Sequence, residues 1–275
     1  MPIYNGKNAY VDDVPCVQTW SASLATTHQR HSSSCIAGAT NSPPGIKNWS
    51  GQITGLGDFP SIVIPSLSPL TFLGVINNTG GSLKSLNGSV FIESLTIDIN
   101  KATYAPISWT ATFGAHGDLV EAATGAADSV VSEAPNGKDL AITIVATPIT
   151  QAIQTAQLVF RRPSTTYVDA GLTYRTPGNL EADINFAVLE SALEVAAYAP
   201  NALSLVKIFT TATKYWEFSK IRFGGKSNFV VDRTSNNVLG YTVNGMWNAI
   251  EGTTEGWIAF FNGSTYETAI YGTAP

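Results

Sequence analysis

Apolar and polar residues change places with a period of two over much of this chain, the spacing of a half-buried β-strand. The clearest run is Asn87–Gly117, where Val90 and Ile92, then Leu95, Ile97 and Ile99, alternate with residues that include Glu93 and Asp98. Asn87-Gly88 reads as a hairpin dipeptide opening the first strand. A break at Lys101–Pro106 follows, after which Ile107, Trp109, Ala111 and Phe113 again take every second position. The two runs are therefore predicted as neighbouring antiparallel strands over one apolar face, with Gly114 and Gly117 ending the second.

Similar patterns flank this pair. Val17, Thr19, Ser21 and Ser23 alternate against Gln18, Trp20, Ala22 and Leu24, predicting a first strand with one apolar face. Asn41–Gly45 is a plain loop; Trp49, Gly51, Ile53 and Gly55 form a short strand; Phe59–Pro69 carries three prolines that exclude a helix interior. An apolar run, Phe72–Ile76, closes on the turn signal Asn77–Gly81. Strands resume at Leu140–Ala146 and Gln157–Phe160. Val188–Tyr198 is the best predicted helix, with Leu189 and Leu193 four apart, Ser191 and Glu194 in capping-box spacing and Pro200 as a stop. Short strands punctuated by Gly and Asn turns are the signature of a mostly β sandwich or barrel.

The 275 residues suit two ordinary domains. Ala122–Gly137 is small, polar and free of aromatics, so the predicted division is a β domain at 1–120, a linker or extended arm at 121–137 and a second β domain at 138–275. Self-comparison supports a duplication. At an offset of 131 Arg30 falls on Arg161, Ser33 on Ser164, Asn48 on Asn179 and Ile53 on Ile184; at 132 Leu73 falls on Leu205, Ile76 on Ile208, Phe91 on Phe223 and Thr110 on Thr242. The order of the elements carries more weight than these identities. Against it, the helix at Val188–Tyr198 faces the proline-rich Phe59–Pro69 in the other half.

Charged residues are only 13% of the chain, about half the usual share, so its surface is built from Ser, Thr, Asn and Gly or is covered by other subunits. A net charge of −5 argues against a protein that grips nucleic acid. No basic-then-apolar leader is visible at Met1–Gly6, and no apolar run approaches the roughly 18 residues of a membrane helix, so the expectation is a chain made and first kept in a cytosol, without a membrane partner. There Cys16 and Cys35 are expected as thiols, although one disulfide is compatible with the count. Four glycosylation sequons, at Asn48, Asn77, Asn87 and Asn262, are read as turn residues.

The search for chemistry nominates no catalytic, cofactor-binding or metal residues. His28, His31 and Cys35 lack a fourth ligand and a zinc-type spacing. His116 and Asp118 would make a general-base pair, yet they sit in a glycine-rich strand end with no nucleophile elbow. Neither a dinucleotide fingerprint nor a P-loop is present, and scattered carboxylates such as Asp12-Asp13 name no glycosidase dyad. Trp216, Phe218 and Phe223 among Lys214, Lys220, Arg222 and Lys226 have the composition of a stacking surface for nucleic acid. The period-two spacing of Trp216 and Phe218 against Glu217 and Ser219 reads instead as an edge or hairpin strand with its charges outward.

A glycine-led strand with a Leu95-x-Ile97-x-Ile99 core, a short polar connection, and a strand Ser108-Trp-Thr-Ala-Thr-Phe113 closing on Gly114-x-x-Gly117 resembles the C-terminal half of a phage tail-tube domain. The resemblance implies tandem β-sandwich or barrel domains, each with at most one flanking helix, fused as in the tube proteins of some long-tailed phages. It implies a structural, non-enzymatic virion protein of the tail, assembled in the host cytoplasm. Three chains would form a pseudo-sixfold ring, rings would stack, and DNA would pass through the lumen without specific binding. The other implied partners are the tape measure protein, the tail terminator and the baseplate proteins. The acidic balance suits such a wall by repelling phosphates. The alternatives are a virion β-sandwich module that binds a receptor or carbohydrate through surface tryptophans, and a related tail part such as the terminator or hub.

Overall fold

The computed structural model describes residues 4–11, 14, 16–28, 31–32, 40–41, 45–58, 67–78, 83–122, 134–149, 152–190, 203–232, 238–251, 254–267 and 271. Among them the chain is nearly all extended, with a single 3-10 turn at Gly137–Asp139 and no α-helix. Eight strands precede that turn: β1 (Tyr4–Val11), β2 (Val17–Thr27), β3 (His31–Ser32), β4 (Thr40–Asn41), β5 (Ile46–Leu56), β6 (Leu70–Asn78), β7 (Leu83–Asn100) and β8 (Ser108–Ala122). Twelve follow it: β9 (Ala141–Ile144), β10 (Thr147–Pro148), β11 (Ala152–Arg161), β12 (Ser164–Asp169), β13 (Leu172–Pro177), β14 (Glu181–Glu190), β15 (Leu203–Phe209), β16 (Tyr215–Asp232), β17 (Val238–Trp247), β18 (Ile250–Glu251), β19 (Thr254–Glu255) and β20 (Ile258–Phe261).

Sixteen of these strands join in one open sheet; β3–β4 and β18–β19 are separate two-stranded ladders. In the amino-terminal half the hydrogen-bonded path runs β2-β5-β8-β7-β6-β1, and in the other half β11-β14-β17-β16-β15-β9-β10, with every neighbouring pair antiparallel. The paths meet where β11 pairs with β7 from Thr155 opposite Asn100 to Arg161 opposite Ser94. A hairpin, β12–β13, reaches back over the first half, where Leu172 bridges Lys47 in parallel and the Thr173 hydroxyl donates to the Lys47 carbonyl at 2.9 Å.

One face of the sheet holds the core. Leu95, Ile97 and Ile99 on β7, Trp109, Ala111 and Phe113 on β8, Leu158 and Phe160 on β11 and Ile184 and Phe186 on β14 are all at most 2% exposed. Phe72 packs at 4.8 Å on Phe113 and 5.8 Å on Trp49, while Phe160 sits 5.2 Å from Trp216. These tilted pairings add to the burial itself.

Glycine positions correct several sequence expectations. Asn87 and Gly88 lie inside β7 and make no turn; a Cβ on Gly88 would come within 2.5 Å of the Trp49 ring, so the missing side chain makes room for that indole. Strand β8 continues past Gly114 and Gly117 to Ala122. Gly114 is bare because the Arg175 guanidinium crosses it, 2.1 Å from where a Cβ would stand. Val188, Leu189 and Glu190 are not the start of a helix but the end of β14, paired with β11 and β17; the rest of that expected helix, residues 191–198, lies outside the described residues, as do residues 59–66 of the proline-rich stretch. Asn48, Asn77 and Asn87 stand in strands, and of the four sequon asparagines only Asn262 makes a turn, its Oδ1 accepting from the Ser264 and Thr265 amides at 3.0 Å.

Candidate functional site

Opposite the core, the same alternation sets a polar surface. Ser94, Thr96, Asp98 and Asn100 on β7 face away from Leu95, Ile97 and Ile99; Ser108, Thr110 and Thr112 do so on β8, and Gln52 and Thr54 on β5. Because register is shared across the sheet, like chemistry lines up in rows. Thr19, Thr54, Thr110 and Thr96 stand opposite one another through four strands, and Asp98, Gln157, Asn185 and Asn244 through four more positions on β7, β11, β14 and β17. The second row borders a depression of about 410 Å³ that Asn100, Thr155, Asn228 and Thr242 also line.

Hydrogen bonds within the surface hold its side chains in place. The Gln157 amide donates to Asp98 at 2.8 Å and the Asn228 amide to the Thr242 hydroxyl at 3.0 Å; Ser94 and Thr112 share a hydroxyl contact at 2.6 Å, as do Thr19 and Thr54. Arg161, the cation that β11 contributes here, is paired with Asp183 on β14. Hydroxyls and amides keep such a surface hydrated, and a cation already held by a carboxylate offers little to a phosphate.

A second polar cluster fixes the hairpin over the first half. Arg175 Nη1 lies 2.6 Å from Glu93 Oε1 and 3.1 Å from Ser164 Oγ, and Ser164 donates to the same carboxylate. His116 stands between the rings of Phe91 and Tyr174, with Nδ1 3.1 Å from the Arg175 carbonyl and 3.3 Å from the Arg175 amide. Next to the hairpin Arg162 is 6% exposed; burial pushes its guanidinium below the ordinary value, and its Nη1 donates to the Gly178 carbonyl at 3.1 Å.

The residues examined for catalysis or metal binding do not converge. His116 is engaged by Arg175, while Asp118 pairs with Lys47 at 3.2 Å. His28 is exposed at the end of β2, His31 opens β3, and Cys35 lies outside the described residues; no metal-type group of His, Cys, Asp and Glu forms among the described residues. Cys16 is half-buried. Trp216 and Phe218 belong neither to a stacking surface nor to an edge: β15 and β20 flank their strand on both sides, and both rings are fully buried. Glu217 and Ser219 also point inward, at 2% and 9% exposure, because the far side of β16 is covered too. None of the six tryptophans is exposed.

Sequence reasoning missed the partner that makes a buried Glu217 tolerable. Tyr266 donates its hydroxyl to Glu217, and Lys207 stands 3.6 Å from the same carboxylate. Burial, and then the bond to Glu217, push the Tyr266 phenol above its ordinary value of 10.0. The folded chain therefore keeps this proton where the unfolded chain releases it. The resulting stability is complete below about pH 10 and is lost as pH climbs from there toward the folded-state value. Urea titrations across this range should show stability falling with pH in the wild type and falling less steeply in Tyr266→Phe; equal slopes would contradict the assignment. Compared with known proteins, the sequence matches no family model and no curated relative.

Proposed function

We propose that this chain is a structural subunit that assembles into stacked rings, three copies to a ring, forming a phage tail tube through which DNA passes. The observation that carries the reading is a recurrence of topology. Strand for strand, β2-β5-β8-β7-β6-β1 corresponds to β11-β14-β17-β16-β15-β9, antiparallel throughout. Registers agree as well. Thr96 opposes Thr110 and Ser227 opposes Thr242; Thr54 opposes Thr110 and Ala187 opposes Thr242; the pairing is irregular between Val17 and Thr19 in β2 and between Ile153 and Thr155 in β11. A shared order is cheap, but shared registers with a shared irregularity point to one unit written twice. On this register the counterpart of Ile53 is Phe186, two residues from the Ile184 that the sequence offset selects.

Two such units joined side by side in one sheet supply what a ring needs: a heterologous contact that repeats by rotation until it closes. Six units then come from three chains. The wall facing the lumen is assigned to the hydroxyl and amide surface, which repels phosphates less by net charge than by withholding free cations. Trp49, Trp109, Trp216 and Trp247 are buried and Trp20 and Trp257 half-buried, which weighs against a carbohydrate-binding module that displays its tryptophans.

Negative-stain electron microscopy, with mass in solution measured at rising concentration, tests the proposal. Stacked annuli or hollow tubes are the expected result. A protein that stays monomeric at every concentration and binds immobilised glycans would overturn it.

A further inference from the structure

The seam between the two halves specifies the contact between two copies. In β11 both edges are filled, by β14 and by β7, and Leu158 to Phe160 are buried. Its counterpart β2 pairs with β5 along one edge and, among the described residues, with nothing along the other; from Ser23 to Thr27 it is exposed throughout. Leu24 occupies the position of Phe160, yet Leu24 is 52% exposed where Phe160 is 0%. The counterpart of β7 is equally unfinished. Strand β15 accompanies β16 only as far as Arg222, and among the described residues the stretch beyond pairs with β17 alone.

We infer that β2 of one copy adds in antiparallel sense to the carboxy-terminal part of β16 in a second copy, repeating between chains the β11–β7 seam found within one. This deepens the ring reading and rests on it. The register follows from the seam. Val159 faces Thr96 and Gln157 faces Asp98 within the chain, so across copies Ser23 faces Ser227 and, past the irregularity between Ser227 and Val230, Ser21 faces Val230. Strand addition suits this edge because main-chain hydrogen bonds supply the affinity while a polar outer face leaves the unassembled chain in solution. The β3–β4 ladder, between β2 and β5, holds the chain position that the β12–β13 hairpin holds between β11 and β14.

Cysteine pairing tests the register in the assembled protein. In a Cys16→Ser, Cys35→Ser background, Ser23→Cys with Ser227→Cys, oxidised with copper phenanthroline, should give a denaturation-resistant ladder ending at three chains; Ser23→Cys with Asp232→Cys, out of register, should not. In the unsubstituted protein, amide exchange at Thr19–Ala25 should slow on assembly. Rings or tubes that neither cross-link at the first pair nor protect those amides would overturn the junction and leave the tube reading standing. A chain that forms no assembly, no cross-link and no protection would overturn both.

Discussion

Replacing Trp216 by alanine should cost about 3–5 kcal/mol, the range for large-to-small changes at fully buried aromatic sites. The indole is 0% exposed and lies 5.2 Å from both Phe160 and Phe260, so truncation opens a void between strands paired on both edges that have little freedom to collapse. A polar loss adds to the void. Trp216 Nε1 donates to the Asp58 carbonyl at 2.9 Å, and Asp58 Oδ2 accepts from Thr210 at 2.7 Å, which ties the end of β5 to the second half. Urea denaturation should show the midpoint falling with the m-value unchanged. Trp216→Phe separates the contributions: it keeps most of the volume and loses the hydrogen bond, for about 1–2 kcal/mol. Equal losses for the two variants would mean that the Asp58 link, not packing, dominates.

The next largest effect is expected at Glu93. Removing one partner of a buried ion pair strands the other, typically at 3–5 kcal/mol. Here the side chains are 29% and 12% exposed for Glu93 and Arg175, so about 2–3 kcal/mol is the scaled expectation for Glu93→Ala. Ser164 loses its acceptor in the same step. If the charge left on Arg175 is the cause, Glu93→Met with Arg175→Met should recover much of the loss, and a double-mutant cycle would read the coupling directly. Failure of the pair to recover any stability would place the cost in the packing of β12–β13 on the first half.

What the sequence discloses here is whatever has a period of two and a local cause. Leu95, Ile97 and Ile99, and Trp109, Ala111 and Phe113, announce their strands and their buried face because side-chain alternation needs no knowledge of the partner. Glycine misleads at Gly88 and Gly114 because its roles are opposite: it ends strands where the backbone turns and continues them where a bulky neighbour crosses. Trp49 and Arg175, the neighbours in question, are far away in the chain. Leu189 has helical spacing to Leu193, but the pairing of Val188 and Leu189 with β11 on one side and β17 on the other overrides local preference. Period two alone reads Glu217 as the outward residue of an edge or hairpin strand; β15 does pair with β16 as a hairpin, and only β20, more than forty residues later, covers its other edge. Likewise the Thr and Asn rows of the candidate wall exist only once registers are fixed between distant strands, although each strand's polar face was already visible as alternation.

The seam between β7 and β11 also sets a timetable for synthesis. Asn100 leaves the ribosome 61 residues ahead of Arg161, an interval of roughly 3–12 s at translation rates of about 5–20 residues per second. Through those seconds the nascent first half carries a bare β7 edge whose designated partner has not been made. Neighbouring nascent chains on one message would offer each other the same edge, so slow codons between Lys101 and Ala152 would raise misassembly, and rapid passage through that stretch protects the unfinished chain.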